Sequence, residues 1–276
     1  AQEIHDKVLS LFKRYLLVGG MPDAVNEYLN SHNIVKVREV QEAIRELYGV
    51  DASRYEEDAA KKLYIRRIYD MIPSQMENKK KRIVAKDILD RKGDRFSNYV
   101  EEFEYLINSG ITIASHAISN PKYPLAESQQ KNLLKLYMND VGMLTSQLYH
   151  YNIQPILNDI ASINLGSVYE SAVAQELKAH YEKLFYYDNK QKGEVDFLVD
   201  DSGTTSVLPI EVKSGKDYTV HSALDNLMSI SDYHLVSSIV LSNEREIKTK
   251  GNILYLLIYY VMFLENKVPE EENMYF

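Results

Sequence analysis

The stretch from Leu165 to Leu241 changes hydrophobic period in a fixed order, and that order constrains the fold more than any other feature of the chain. Val168, Ala172, Val173, Ala174 and Leu177 recur at helical spacing between Leu165 and Tyr181, with no internal Gly or Pro. Leu184 to Tyr187 then reads as a short strand. Glu194 to Val199 alternates charged and apolar residues, Asp200-Asp201-Ser202-Gly203 is a turn cluster, and Ser206 to Val212 is apolar again, which predicts a β-hairpin. Ala223, Leu224, Leu227 and Met228 restore a helical period between His221 and Ile230, and Leu235 to Leu241 reads as a buried strand. The expected order is helix, three strands, helix, strand.

The hairpin gathers ionisable residues. With its turn centred near Gly203-Thr204, Asp196 falls opposite Glu211, and the period of 2 along a strand sets Glu211 and Lys213 on one face. Residues directly opposite on antiparallel strands hold their Cβ atoms about 5 Å apart and point them to the same side, so Asp196, Glu211 and Lys213 are expected to converge. Two carboxylates at that distance repel unless a cation lies between them, and hard oxygen donors suit Mg²⁺ or Mn²⁺ rather than Zn²⁺. The carbonyl of Val212 is a further candidate ligand, and Lys213 a candidate to orient or deprotonate an attacking water. Acid-x-acid and acid-x-Lys triplets also arise on plain solvated strand faces, so the order of the flanking elements carries as much weight as the triplets. Pro209 removes a backbone donor from the second strand and predicts an edge or a bulge there.

The element order, with Asp196 on the second strand and Glu211-Val212-Lys213 on the third, resembles the PD-(D/E)xK nuclease superfamily. That resemblance implies an αβββαβ domain like that of restriction endonucleases. It implies metal-binding acids at Asp196 and Glu211, the lysine at Lys213, and an auxiliary first-helix acid at Glu170, with Glu176 as the competitor. Val195 stands where the signature proline would be. A second resemblance spans nearly the whole chain: Val18-Gly19-Gly20-Met21-Pro22, Lys135 to Leu144, Glu170, and the Glu-Val-Asp-Phe and Glu-Val-Lys segments together look like the C-terminal half of bacterial and archaeal AAA+-type ATPases, catalogued as domain of unknown function 4143. It implies an N-terminal ATPase domain as partner, with ATP bound there. None of the eleven glycines here begins a G-x-x-x-x-G-K-[S/T] pattern, so no residue of this chain is assigned to ATP, and the chain is expected to be the C-terminal part of a longer protein.

Charge is uneven along the chain. Residues 1–145 carry 22 Lys/Arg against 21 Asp/Glu, and residues 146–276 carry 10 against 19, within a net charge of −8. An acidic surface repels phosphate, and affinity for DNA rests largely on basic contacts that release counterions. The basic footprint lies upstream, at Lys79, Lys80, Lys81, Arg82, Lys86, Arg91, Lys92 and Arg95. Helices are predicted at Arg54–Met71, Ile83–Leu89 and Phe96–Asn108, and strands at Ile111–Ala117 and Asn132–Leu136. That is a winged-helix pattern, with Arg95, Ser97 and Asn98 at the start of a recognition helix. The apolar spacing of Phe96, Val100, Phe103 and Leu106 also fits an ordinary core helix, and Glu101, Glu102 and Glu104 are poor company for phosphates.

The expected organisation is α/β plus helical: a lid-like helical segment at 1–50, a winged-helix domain at 51–147, and the nuclease-like domain at 148–276. Cysteine is absent, which excludes disulfides and thiolate metal sites, and the seven histidines show no ligand spacing; His221, opening a helix after the third strand, is expected to cap that helix or lie on the surface, with approach to the active face as the alternative. No signal pattern is visible and the longest apolar run, Ile253–Leu264, is too short to span a bilayer, so a cytoplasmic protein without membrane contact is expected. The leading expectation is a Mg²⁺- or Mn²⁺-dependent DNA nuclease module of an ATPase. The first alternative is an inactive nuclease fold that binds nucleic acid or docks a protein partner on its acidic face and so regulates the ATPase. A winged-helix transcriptional regulator, the third, leaves Asp196, Glu211 and Lys213 unexplained.

Overall fold

The computed structural model describes residues 2–55, 57–158, 165–215 and 217–266. It is a mixed α/β structure, about half helical, with one mixed sheet. The chain forms two compact units that interleave in sequence. One takes Asp6–Ala114 and Lys135–Gln175; the other takes the residues up to His5, Ser115–Leu134 and the chain from Glu176.

The helical elements are α1 (Gln2–Val18), α2 (Pro22–Ser31), α3 (Ile34–Tyr55), α4 (Ala59–Met76), α5 (Lys86–Leu89), α6 (Val100–Asn108), α7 (Val141–Tyr149), α8 (Gln154–Leu157), α9 (Gly166–His180) and α10 (Ser222–Met228). Local chemistry sets several boundaries. Asp58 caps α4 by accepting from the Ala60 amide at 2.7 Å, so the helix predicted from Arg54 begins later and runs on to Met76 through Pro73. The predicted helix at Ile83–Leu89 is a single turn. The one at Phe96–Asn108 opens as a 3₁₀ turn at Phe96–Asn98, and α6 follows from Val100.

The strands are β1 (Thr112–Ile118), β2 (Gln129–Met138), β3 (Leu184–Asn189), β4 (Gly193–Asp201), β5 (Ser206–Lys213), β6 (Ser238–Ser242), β7 (Lys248–Lys250) and β8 (Ile253–Leu257). Their order in the sheet is β2-β1-β3-β4-β5-β6-β8-β7. β3–β4 and β4–β5 are antiparallel, whereas β1–β3, β5–β6 and β6–β8 are parallel. The two strands expected to form a wing, β1 and β2, are therefore part of the large sheet, and β1 pairs with β3 from Ser115 to Ile118. Their sequences explain this: Ile113, Ala117, Ile118, Leu134, Leu136 and Met138 are buried, too apolar a pattern for a hairpin with both faces in water. The core of the sheet unit combines Phe185, Tyr187, Val195, Leu198 and Val240 with Leu224 and Leu227 of α10.

From α9 to β6 the elements follow the predicted order of helix, three strands, helix, strand. Ile253–Leu264 is a strand, β8, passing into a 3₁₀ turn at Ile258–Phe263. Among the described residues no helix is long and apolar enough to cross a membrane.

Candidate metal centre

The β4–β5 hairpin is closed by Asp201, whose carboxylate accepts from the Gly203 amide at 3.1 Å and the Thr204 hydroxyl at 2.7 Å, a local turn device of Asp. The ladder runs in one register from Asp201–Ser206 to Phe197–Ile210. Continued by one residue, that register puts Asp196 opposite Glu211. Pro209 causes neither an edge strand nor a slip, because β5 lies between β4 and β6 and Pro209 stands opposite Leu198. The missing donor is tolerated because β6 pairs with β5 only from Ile210 onward.

A bulge occurs on the other side of β4. Phe185 pairs with Leu198 and Tyr187 with Val195, so β4 uses one more residue than β3 across Asp196 and Phe197. Bulges re-aim side chains and are common beside active sites. Here Val195 and Leu198 both reach the core, while Asp196 between them turns its Oδ2 to the Val212 amide, which donates to it at 2.8 Å.

Glu211 is buried at 6% exposure. Its Oε1 accepts from Lys213 Nζ at 2.7 Å, and its Oε2 is buried without a hydrogen-bond partner. Burial, reinforced by the Asp196 carboxylate and opposed by Lys213 and by a hydrogen bond from the Asp196 amide, pushes the Glu211 carboxyl up to about 8. A buried carboxylate oxygen with no donor is costly, and a hard cation is one partner that would satisfy the Glu211 Oε2. Asp196, Glu211 and the Val212 carbonyl thus suit Mg²⁺ or Mn²⁺, which typically take one or two carboxylates and complete their shell with water and substrate phosphate. Among the described residues no group of three or more His, Cys, Asp or Glu side chains gathers that could hold a metal ion.

Glu170 sits in the helical unit and is fully engaged there. Lys135, with no exposure, donates to its Oε1 at 3.0 Å, Tyr137 donates to the same oxygen at 2.7 Å, and Lys81 pairs with Oε2. Burial works to raise this carboxyl, but the charges of Lys135 and Lys81 outweigh it and hold Glu170 well below the usual carboxylate range. Its competitor, Glu176, lies beside His180 at 3.4 Å on α9.

Of the candidate DNA contacts, Lys79, Lys80, Arg95, Ser97 and Asn98 are exposed and Arg82 is half-buried. Lys81 turns inward to Glu170. Ser97 and Asn98 lie in the 3₁₀ turn ahead of α6 rather than in its first turn.

Two features went beyond the sequence reading. His221 is buried, with Nε2 2.7 Å from the Tyr255 hydroxyl and Nδ1 3.1 Å from Asp225; its side chain does not cap α10. The Gly19-Gly20 turn locks onto Asp140, whose Oδ2 accepts from the Gly20 amide at 2.6 Å while Oδ1 caps α7 through Met143 at 3.2 Å. A Cβ on Gly19, where φ is +75°, would lie 2.0 Å from Asp140, and one on Gly142 would lie 2.6 Å from Gln41. These glycine and aspartate motifs are therefore packing determinants. The readable signal was Asp140 standing just before an apolar helix, an N-cap pattern.

Comparison with protein families divides the chain in two. Residues 165–260, which hold Asp196, Glu211 and Lys213, match the model described as Domain of unknown function (DUF4143), a domain commonly found with AAA ATPase domains. Residues 9–151, including the Gly19-Gly20 and Asp140 motifs, match a different model, Domain of unknown function (DUF8612), so the second resemblance is narrower than the whole-chain span expected for it. No curated protein and no solved structure matches the chain. With just over half of its residues under the DUF8612 model, the chain belongs to that family of unknown function.

Proposed function

We propose that the β4–β5 hairpin is the active centre of a Mg²⁺- or Mn²⁺-dependent DNA nuclease module with a PD-(D/E)xK-type core, working within an AAA+-type ATPase. The observation that carries this reading is the unpartnered Oε2 of buried Glu211 in a cluster with Asp196 and Lys213. Two neighbouring acids on adjacent strands repel when both are ionised, and a bound cation would relieve that repulsion. The order α9-β3-β4-β5-α10-β6 supports the same reading.

Asp196 and Glu211 would hold the cation, with the Val212 carbonyl as a further donor. When bound, it would supply Lewis-acid screening of the scissile phosphate and acidify a water. Lys213 is anchored on Glu211 and partly exposed, with 27% of its side chain accessible, so its remaining N–H donors are positioned to hold the attacking water or a phosphate oxygen. Glu170 is assigned a structural role because its oxygens serve Lys81, Lys135 and Tyr137. The exposed Lys79, Lys80 and Arg95 are the proposed phosphate contacts outside the acidic C-terminal half.

Incubation of linear, branched and single-stranded DNA with Mg²⁺ or Mn²⁺ tests the activity. The native protein is expected to cleave at least one form and Lys213→Ala to be about 100-fold slower, within the range for loss of a proton-transfer or positioning group. Equal cutting by both proteins would refute the assignment. The excess of acids in residues 146–276 favours a second reading, a non-catalytic docking platform for the ATPase, and metal binding without cleavage of any substrate would establish that alternative.

A further inference from the structure

We propose that a cavity in the helical unit is a binding site for an uncharged heteroaromatic ring of nucleobase size. The cavity, of about 400 Å³, lies between α3 and α4 and is closed by Leu106 and Ile111. That volume falls in the range of small-ligand sites, about 300–1,000 Å³.

Its chemistry selects the ligand. Tyr48 and Tyr69 meet edge to face, 6.2 Å apart at 87°, and with Ile65, Leu106 and Ile111 they offer flat, apolar walls. The charged residues around the cavity cancel: Arg45 and Arg66 stand against Glu46 and Asp70, and Arg45 is tied to Asp70 at 3.0 Å. A charged ligand therefore gains little, whereas tyrosine rings and guanidinium planes are good stacking surfaces for a heteroaromatic ring. The Tyr48 hydroxyl accepts from Asn139 Nδ2 at 3.0 Å.

Gly49 supplies an independent argument. It lies inside α3, where glycine is a poor helix former. No positive φ requires it, and a Cβ there would meet no atom within 4 Å. Neither backbone geometry nor crowding accounts for a glycine at this point. Gly49 is, however, part of the cavity wall, so a larger side chain there has open space to enter.

The ring has two sources, a free nucleotide or an unpaired base of a strand. Isothermal titration in EDTA, with the four nucleoside monophosphates, an eight-nucleotide single-stranded DNA and ribose 5-phosphate as probes, separates them from each other and from the metal centre. The expected result is binding of a base-bearing probe, no binding of ribose 5-phosphate, and at least about tenfold weaker binding by Gly49→Leu with an equal or higher melting temperature. Tighter binding of a monophosphate assigns the site to free nucleotides, and tighter binding of the oligonucleotide assigns it to a strand. If Gly49→Leu does not fold, Gly49→Ala makes the same test with a smaller loss. Absence of binding by every base-bearing probe at millimolar concentration, equal binding of ribose 5-phosphate, or native affinity in a folded Gly49 variant would overturn the proposal.

Discussion

Two buried glutamates, one in each unit, meet opposite electrostatic fates. Glu170 is 1% exposed and lies among Lys135, Lys81 and Tyr137, which satisfy both of its oxygens and keep it ionised. Glu211 is 6% exposed, has one lysine and a neighbouring aspartate, and keeps one oxygen without a donor, so its proton is retained to about pH 8. A buried charge with a complete set of partners organises a core. One left incomplete next to a like charge is a candidate for binding a cation. The two acids named together by the nuclease resemblance thus sit in opposite surroundings, one satisfied and one not.

The largest expected effect breaks the satisfied cluster. Glu170→Ala strands the buried Lys135 ammonium and should destabilise the fold by about 3–5 kcal/mol in urea unfolding. Unchanged stability with lost cleavage would instead make Glu170 catalytic. Next comes Lys213→Ala, for which the roughly 100-fold loss of cleavage is about 2.7 kcal/mol of transition-state stabilisation; because Lys213 is partly exposed, its effect on melting should stay within about 1 kcal/mol.

Glu211→Gln sharpens the other side of the contrast. A carboxyl whose folded pKa is raised contributes stability that is fully present below its unfolded value near 4.5 and is lost as pH rises toward about 8. Without metal, the melting temperature of the native protein should therefore fall between pH 5 and 8. The glutamine variant should show a flatter profile and gain on the order of 2 kcal/mol at pH 8. Parallel pH profiles would mean that Glu211 is not the strained group. The smallest effect belongs to the periphery. Lys79→Glu with Lys80→Glu should weaken DNA binding several-fold and lower the salt slope by about one unit per lost contact, and an unchanged slope would remove these residues from the interface.

Much of this was legible in the chain. Periods of 3.6 and 2 located α9, β4, β5 and α10, and the Asp201-Ser202-Gly203 turn signal set the register that brings Asp196 to Glu211. The rest depended on contacts distant in sequence. Lys135 reads as one charge in an apolar strand, and only its approach to Glu170, 35 residues away, shows why it is tolerated there. The bulge at Asp196 and the entry of β1 and β2 into the large sheet are tertiary outcomes that local periodicity does not encode. Helix boundaries around the basic segment shifted because a cap at Asp58 and a 3₁₀ turn at Phe96–Asn98 outweighed apolar spacing.

That Asp196 and Glu211 together hold a divalent cation is tested by soaking crystals in millimolar Mn²⁺ and measuring anomalous scattering. The expected result is a peak between the two carboxylates, with metal–oxygen distances of about 2.1–2.2 Å, that disappears in Glu211→Gln. A native crystal with no peak there, both carboxylates ordered and accessible to the soak, would contradict it.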